Sequence, residues 1–233
     1  MPYLTFFKYA IIIIIKQCDR RKFCRTGMMG SVSMNRIITI GREFGSGGRE
    51  AGRRLAEKLG IAYYDHEIVN EIIKRTSLAA EYVRNIEEKR PSPLLAITIG
   101  KTFWSEPDPT LEQQLEVIRK ESEILHEMAE KSDCVIVGRS ADYVLSDFKP
   151  FRLFFYADME SKMRRCRQKG DADENLSAKE LKQKILSVDK SRKNYYEFLT
   201  GQKWGDKANY DLCVNTASTD IKKIVNSIAV LFE

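Results

Sequence analysis

Short apolar runs alternate along this chain with segments whose apolar residues recur at helical spacing. Residues 36 to 41, RIITIG, are β-branched and apolar and end in glycine, the pattern of a buried strand. Beyond a glycine-rich stretch, Ala51, Leu55, Ala56 and Leu59 fall on one helical face, and Gly60 stands where a helix-ending residue belongs. Ile61 to Tyr64 reads as a second short strand. Ile68, Val69, Ile72 and Ile73 mark a helix over about 66 to 75, and a further helical pattern runs to Lys89. Pro91, Pro93, Pro107 and Pro109 break regular structure between 90 and 110, an irregular insert. Leu111, Leu115, Ile118, Ile124, Leu125 and Met128 predict a long helix ending near Lys131, followed by a fully apolar strand at Val135 to Gly138. The remainder reads as a short helix near 141 to 145, a strand at 151 to 156 and a basic helix from Asp158 to Lys169. A Ser177-capped helix through about Glu197, a strand at 211 to 214 and a last helix at 220 to 232 complete the chain.

Strands that are apolar throughout and alternate with helices imply a parallel sheet covered on both faces, here a three-layer α/β fold with five strands. In such sheets ligands bind outside the carboxyl ends of the strands, where the loops after Ile40, Val137 and Tyr156 meet.

Composition adds two restrictions. With 233 residues, 43% hydrophobic and 31% charged, the chain can bury a substantial core and is neither membranous nor disordered overall. Of the formal charge of +6, residues 1 to 34 carry +5, from six Lys/Arg and one acid. A near-neutral body argues against a broad nucleic-acid footprint. Tyr9 to Ile15 is apolar but far shorter than the ~20 residues that span a bilayer, and most of its flanking charge follows it, unlike a signal peptide. Met28, Met29 and Met34 are alternative starts, so residues 1 to 34 read as a dispensable extension, with a membrane-surface or partner-binding segment as the other reading. Five cysteines form no CxxC pair, so no disulfide or zinc framework is legible; Cys134 and Cys213 sit in apolar runs as small buried hydrophobes, and a cytoplasmic setting follows.

Candidate chemistry concentrates in Gly41 to Glu50, GREFGSGGRE, between a predicted strand and a predicted helix. Glycines let successive backbone N–H groups close around a phosphate at a helix N-terminus. Gly45, Ser46, Gly47, Gly48, Arg49 and Glu50, with Arg42 at the strand end, are therefore the candidate phosphate-binding residues. The plain alternative is a tight turn without a ligand.

The segment IITIGREFGSGGREAGRRLAEKLGIAYYDHEIV resembles the opening of cytidylate kinases, and more closely a cytidylate-kinase-like branch with GREFGSGGRE-type loops, within the P-loop nucleoside-monophosphate-kinase superfamily. CVIVGRSADYVL at 134 to 145, Asp189 to Arg192 with Tyr195-Tyr196, and WGDKANYDLCVNT at 204 to 216 match in the same order, so the resemblance covers residues 35 to 233. It implies a P-loop NTPase-type fold with a substrate-side insert at 76 to 110 and a helical lid at 177 to 205. It further implies ATP-dependent phosphoryl transfer with Mg2+ to a nucleoside monophosphate such as CMP, or to a related small acceptor. Asp65 would lie beside the acceptor nucleotide, although it also suits a helix N-cap. Arg139 would bind the acceptor's phosphate, while Arg192 would close over the transferring phosphoryl group with Asp189 beside it on the lid helix.

Three positions depart from that pattern. Gly48 stands at the usual P-loop lysine and Arg49 at the magnesium-binding Ser/Thr, leaving the cation to come from Arg49 or Arg42 and the metal site unassigned. Ser140 replaces the aspartate that follows the arginine in cytidylate kinases. Arg49, Arg192 and Asp189 are thus the candidate catalytic residues, and small nucleotides the expected partners, with no nucleic acid or membrane and with homo-oligomerisation left open. A nucleotide-sensing module without turnover is the competing class.

Overall fold

A computed structural model describes residues 35–75, 109–169 and 176–232. The extension 1–34, the helical pattern from 76 to 89 and the insert as far as 108 lie outside the described residues. Five strands form one sheet in the order β2-β3-β1-β4-β5: β1 (Ile37–Arg42), β2 (Ala62–Tyr64), β3 (Cys134–Val137), β4 (Phe151–Tyr156) and β5 (Leu212–Asn215). Every pairing is parallel, with Ile40 opposite Val137 on one side of β1 and opposite Leu153 on the other.

The pleat sends alternate side chains to opposite faces, and both faces are apolar. Ile37, Cys134 and Ile136 face a layer built from α2 (His66–Arg75), α3 (Pro109–Lys131) and α6 (Ala178–Thr200), where Ile68, Ile72, Ile124, Leu125, Tyr195 and Leu199 are buried. Ile38, Ile40, Val135 and Val137 face α1 (Gly48–Leu59) and α7 (Ile221–Ala229), through Leu55, Ala56, Ile224 and Val225. Each such Ile or Leu contributes roughly 1.5–3 kcal/mol by leaving water. α4 (Ala141–Val144) and α5 (Met159–Lys169) complete the described helices of four residues or more.

Several boundaries differ from the sequence pattern, among them the end of the last helix, at Ala229 rather than 232. α3 begins at Pro109, inside the stretch expected to be irregular. Proline suits a first helical position, because its ring pre-sets φ and its missing N–H would have no intrahelical partner there. α6 runs three residues past Glu197 to Thr200, where Gly201 at φ 71 stops it; its start carries the Ser177–Glu180 capping box. Cys134 is buried as expected and burial pushes its thiol up to about 12, whereas Cys213 is half-buried. Among the described residues no helix is long and apolar enough to cross a membrane.

Candidate functional site

The glycine loop leaves the carboxyl end of the central strand β1 and enters α1. Gly45 (φ 73) and Gly47 (φ 84) adopt left-handed backbone that side chains disfavour, and α1 starts with no side-chain cap on Gly47. Close packing demands glycine as well: a Cβ on Gly45 would lie 2.9 Å from the carbonyl oxygen of Lys162 on α5. Ser46 pins the loop from below. Its hydroxyl donates to the Glu43 carbonyl at 2.8 Å, and its own carbonyl accepts from the Thr216 hydroxyl at 2.7 Å.

Charged side chains of both signs crowd this mouth. Arg49 Nε lies 2.6 Å from Asp65 Oδ2, and Arg42 Nη2 lies 3.8 Å from Asp65 Oδ1. Arg42 and Asp65 are only 11% and 8% exposed, whereas Arg49 is 55% exposed and is the guanidinium that can swing toward a ligand. Arg42 packs over the backbone of Gly138 (φ 83), where a Cβ would collide with its guanidinium. Glu50 faces along α1 and pairs with Arg54 at 2.8 Å.

Arg139 and Ser140 continue the left-handed backbone, at φ 60 and 48. Three successive left-handed residues of which two carry side chains are strained, a feature that gathers at functional sites. The turn directs Arg139 inward: its Nη1 lies 3.2 Å from Glu121 Oε2 of α3, with both side chains 3% exposed. Tyr195 of α6 donates to the other oxygen, Glu121 Oε1, at 3.1 Å.

Residues of α6 reach the loop directly. Phe44 N–H donates to Asp189 Oδ1 at 2.6 Å; Arg192 lies over the Phe44 ring at 5.7 Å and donates to the Arg42 carbonyl at 3.4 Å. The sequence places Asp189 beside Arg192 and Lys193 on one helical face; the contacts made by Asp189 are instead to Phe44 and to Lys162, whose Nζ is 2.9 Å from Oδ2. Lys162 also meets Glu43 Oε2 at 2.7 Å. Burial pulls the Lys162 ammonium down, but the two carboxylates outweigh it and hold its pKa above the ordinary lysine value. Behind the loop, Arg165 donates to the Thr216 carbonyl and lies 3.5 Å from that of Gly45; burial lowers its pKa.

One end of the sheet therefore gathers Arg42, Gly45, Ser46, Gly47, Gly48, Arg49, Asp65, Asp189 and Arg192. Arg139 adjoins them but is turned beneath, and Glu50 points along its helix. Sequence reasoning missed Lys162 and Glu121, and it gave Glu43 and Tyr195 no place in the site. Lys162 had one usable signal, its position on the first turn after the carboxyl end of β4. A cleft of about 560 Å³, lined by Asp142, Lys149, Arg152 and Asp211 among others, opens away from this site, near the amino ends of β4 and β5.

A parallel sheet of this order, with a glycine loop between its central strand and the following helix and helices on both faces, is a three-layer P-loop NTPase-type fold. The cytidylate kinase-like family model matches residues 37–218, and the chain belongs to that family. A cytidylate kinase of Methanopyrus kandleri is 24% identical over 195 residues, spanning 79% of this chain and 86% of that protein. A crystal structure of an uncharacterized protein from Eubacterium ventriosum superposes with a TM-score of 0.60 at 26% identity, over 84% of this chain and 97% of that one. Shikimate kinase from Bacteroides thetaiotaomicron shares the fold at a TM-score of 0.52 and 16% identity, over 84% and 98% of the two chains.

Proposed function

We propose that this kinase-family protein is a cytoplasmic, ATP-dependent phosphotransferase whose acceptor is a nucleoside monophosphate such as CMP. The observation that carries the reading is the loop itself: an uncapped helix start, two left-handed glycines and flanking Arg42 and Arg49 form a cradle suited to a polyphosphate. Phosphoryl transfer depends on position and charge neutralisation rather than on a covalent residue. An acceptor phosphate oxygen bonds to the γ-phosphorus as the bond to the bridging oxygen breaks, leaving ADP.

In this reading Arg49 exchanges Asp65 for the transferring phosphoryl group, and Arg192 covers it from the lid helix that Asp189 ties to the loop. Asp65 receives the acceptor, and Arg139 reaches the acceptor's phosphate only by exchanging Glu121 for it. The loop does not fit a protein-built magnesium site, since its carboxylates Glu43 and Glu50 are paired with Lys162 and Arg54, the Ser46 oxygen accepts from Gly48 N–H while its hydroxyl donates to the Glu43 carbonyl, and an arginine occupies position 49. Magnesium would arrive on the nucleotide's own phosphates.

A specific observation favours a second reading, a nucleotide sensor without turnover: Arg42, Arg49 and Lys162 are all engaged with carboxylates. The two separate in a side-by-side measurement of ATP turnover and ATP binding for wild type, Arg49→Ala and Arg42→Ala. Arg49→Ala is expected to lose about 10²–10³-fold in turnover, the scale of one preorganised charge contact. Arg49→Lys should recover only part, because the guanidinium fork is lost. Wild-type turnover in Arg49→Ala with loss in Arg42→Ala transfers the role to Arg42; bound ATP with no turnover in any protein favours the sensor.

A further inference from the structure

Three parts of the fold meet at the Lys162 ammonium. It comes from the first turn of α5, is 7% exposed, and lies 2.7 Å from Glu43 on the phosphate loop and 2.9 Å from Asp189 on the lid helix. Each carboxylate makes a second contact with loop backbone: Glu43 Oε2 accepts from Ala157 N–H at 3.2 Å, just after β4, and Asp189 Oδ1 accepts from Phe44 N–H at 2.6 Å. Removing the ammonium would leave two poorly solvated carboxylates facing each other, and like charges at that range repel strongly where water is scarce. The lid helix would then lose its attachment to the loop, and Arg192 its seat over Phe44 and the Arg42 carbonyl.

We propose that Lys162 is a positioning residue for phosphoryl transfer: by neutralising Glu43 and Asp189 together it latches the lid helix to the phosphate loop and so sets Arg192 over the reacting group. The kinetic part rests on reading the loop as the ATP site. Because Lys162 acts through Asp189 and Arg192, its loss lowers the rate of the chemical step more than it weakens ATP. A second guanidinium or ammonium at 162 can carry the same latch; a neutral side chain of similar length cannot.

The experiment uses the full chain as wild type, Lys162→Met and Lys162→Arg, with amide hydrogen exchange and ADP-release kinetics read on the same samples. In Lys162→Met the Phe44 amide should exchange at least tenfold faster while the amides of Cys134 to Val137 in β3 keep wild-type protection, and Lys162→Arg should restore most of the protection. The kcat of Lys162→Met should fall at least tenfold with the KM for ATP within about threefold of wild type, and should recover in part in Lys162→Arg. Should Lys162→Met fail to fold, Lys162→Gln carries the same comparison. Unchanged Phe44 exchange in the neutral variant, or faster exchange with unaltered kcat, overturns the latch, as does a rise in the ATP KM matching the fall in kcat. An absence of ATP turnover in wild type contradicts the kinase reading alone, since the exchange comparison still decides whether Lys162 holds the lid.

Discussion

Arg139 shows how little a residue's type reveals about its company. The sequence places it at the end of the central crevice, and the structure does put its backbone there, yet the side chain is held within the protein by Glu121, 18 residues earlier, and through it by Tyr195, 74 residues beyond Glu121. Such partners are invisible to local periodicity: in the run ESEIL a glutamate between helix-forming neighbours reads as a solvated charge. Removing one partner of a buried pair strands the other. Glu121→Ala should therefore cost about 3–5 kcal/mol in urea unfolding, against about 1 kcal/mol for Tyr195→Phe, which deletes one neutral donor. Equal, small losses would mean that the pair is not shielded from water. Asp142 supplies a second test. Burial pushes its carboxyl up to about 6 from 3.8, partly opposed by the hydrogen bond from Tyr196 at 2.8 Å and by the charge of Arg152. A raised folded-state pKa gives stability that is present below about pH 4 and is lost as pH rises through about 6. Over that window wild type should lose about 3 kcal/mol relative to Asp142→Asn, which keeps an oxygen for Tyr196. Unfolding free energies measured from pH 4 to 8 with a constant difference between the two proteins would contradict the shift.

Elements were far more legible than partners. RIITIG, CVIV and FRLFFY read as strands buried on two faces, because their apolar residues are consecutive and β-branched or aromatic with only Thr39 and Arg152 as internal polar positions, and their alternation with helical spacing implies the parallel sheet. The glycine loop was legible for the same reason: four glycines in eight residues between a strand and a helix have a conformational use. What could not be read was which glycine is pressed by which neighbour. Gly45 and Gly60 are both left-handed, at φ 73 and 65, but an added Cβ meets the Lys162 carbonyl at 2.9 Å in the first case and nothing within 4 Å in the second. Gly60→Ala should cost about 1–2 kcal/mol of backbone strain and leave ATP affinity unchanged. Gly45→Ala should add a displacement of the loop from α5 and weaken ATP at least tenfold by calorimetry. Equal ATP affinities for the two variants would show that the loop's shape is not what binds. Lys162 escaped notice because it is one of five basic residues on its helix, and only the carboxylates of Glu43 on the loop and Asp189 on α6 turn it inward.

At the scale of the whole molecule the first described residues are tied to the body of the fold. Asn35 donates to the carbonyls of Ala129 and Glu130, and Arg36 N–H to Asp133, so contacts among the described residues anchor the start of β1. A chain starting at Met34 should unfold within about 2–4 °C of the full protein, the shift that ~1 kcal/mol produces at this size, and should bind ATP equally well. A larger fall in Tm or a loss of ATP affinity would assign the extension a structural role. The central claim concerns the site that this domain carries at the carboxyl ends of its strands, and it is tested most directly by ADP release from ATP with CMP, UMP, AMP, GMP and shikimate offered in turn. Acceptor-dependent release with at least one pyrimidine monophosphate, abolished in the Arg49→Ala protein, is the predicted result; release that no monophosphate stimulates, or that shikimate alone stimulates, would contradict it.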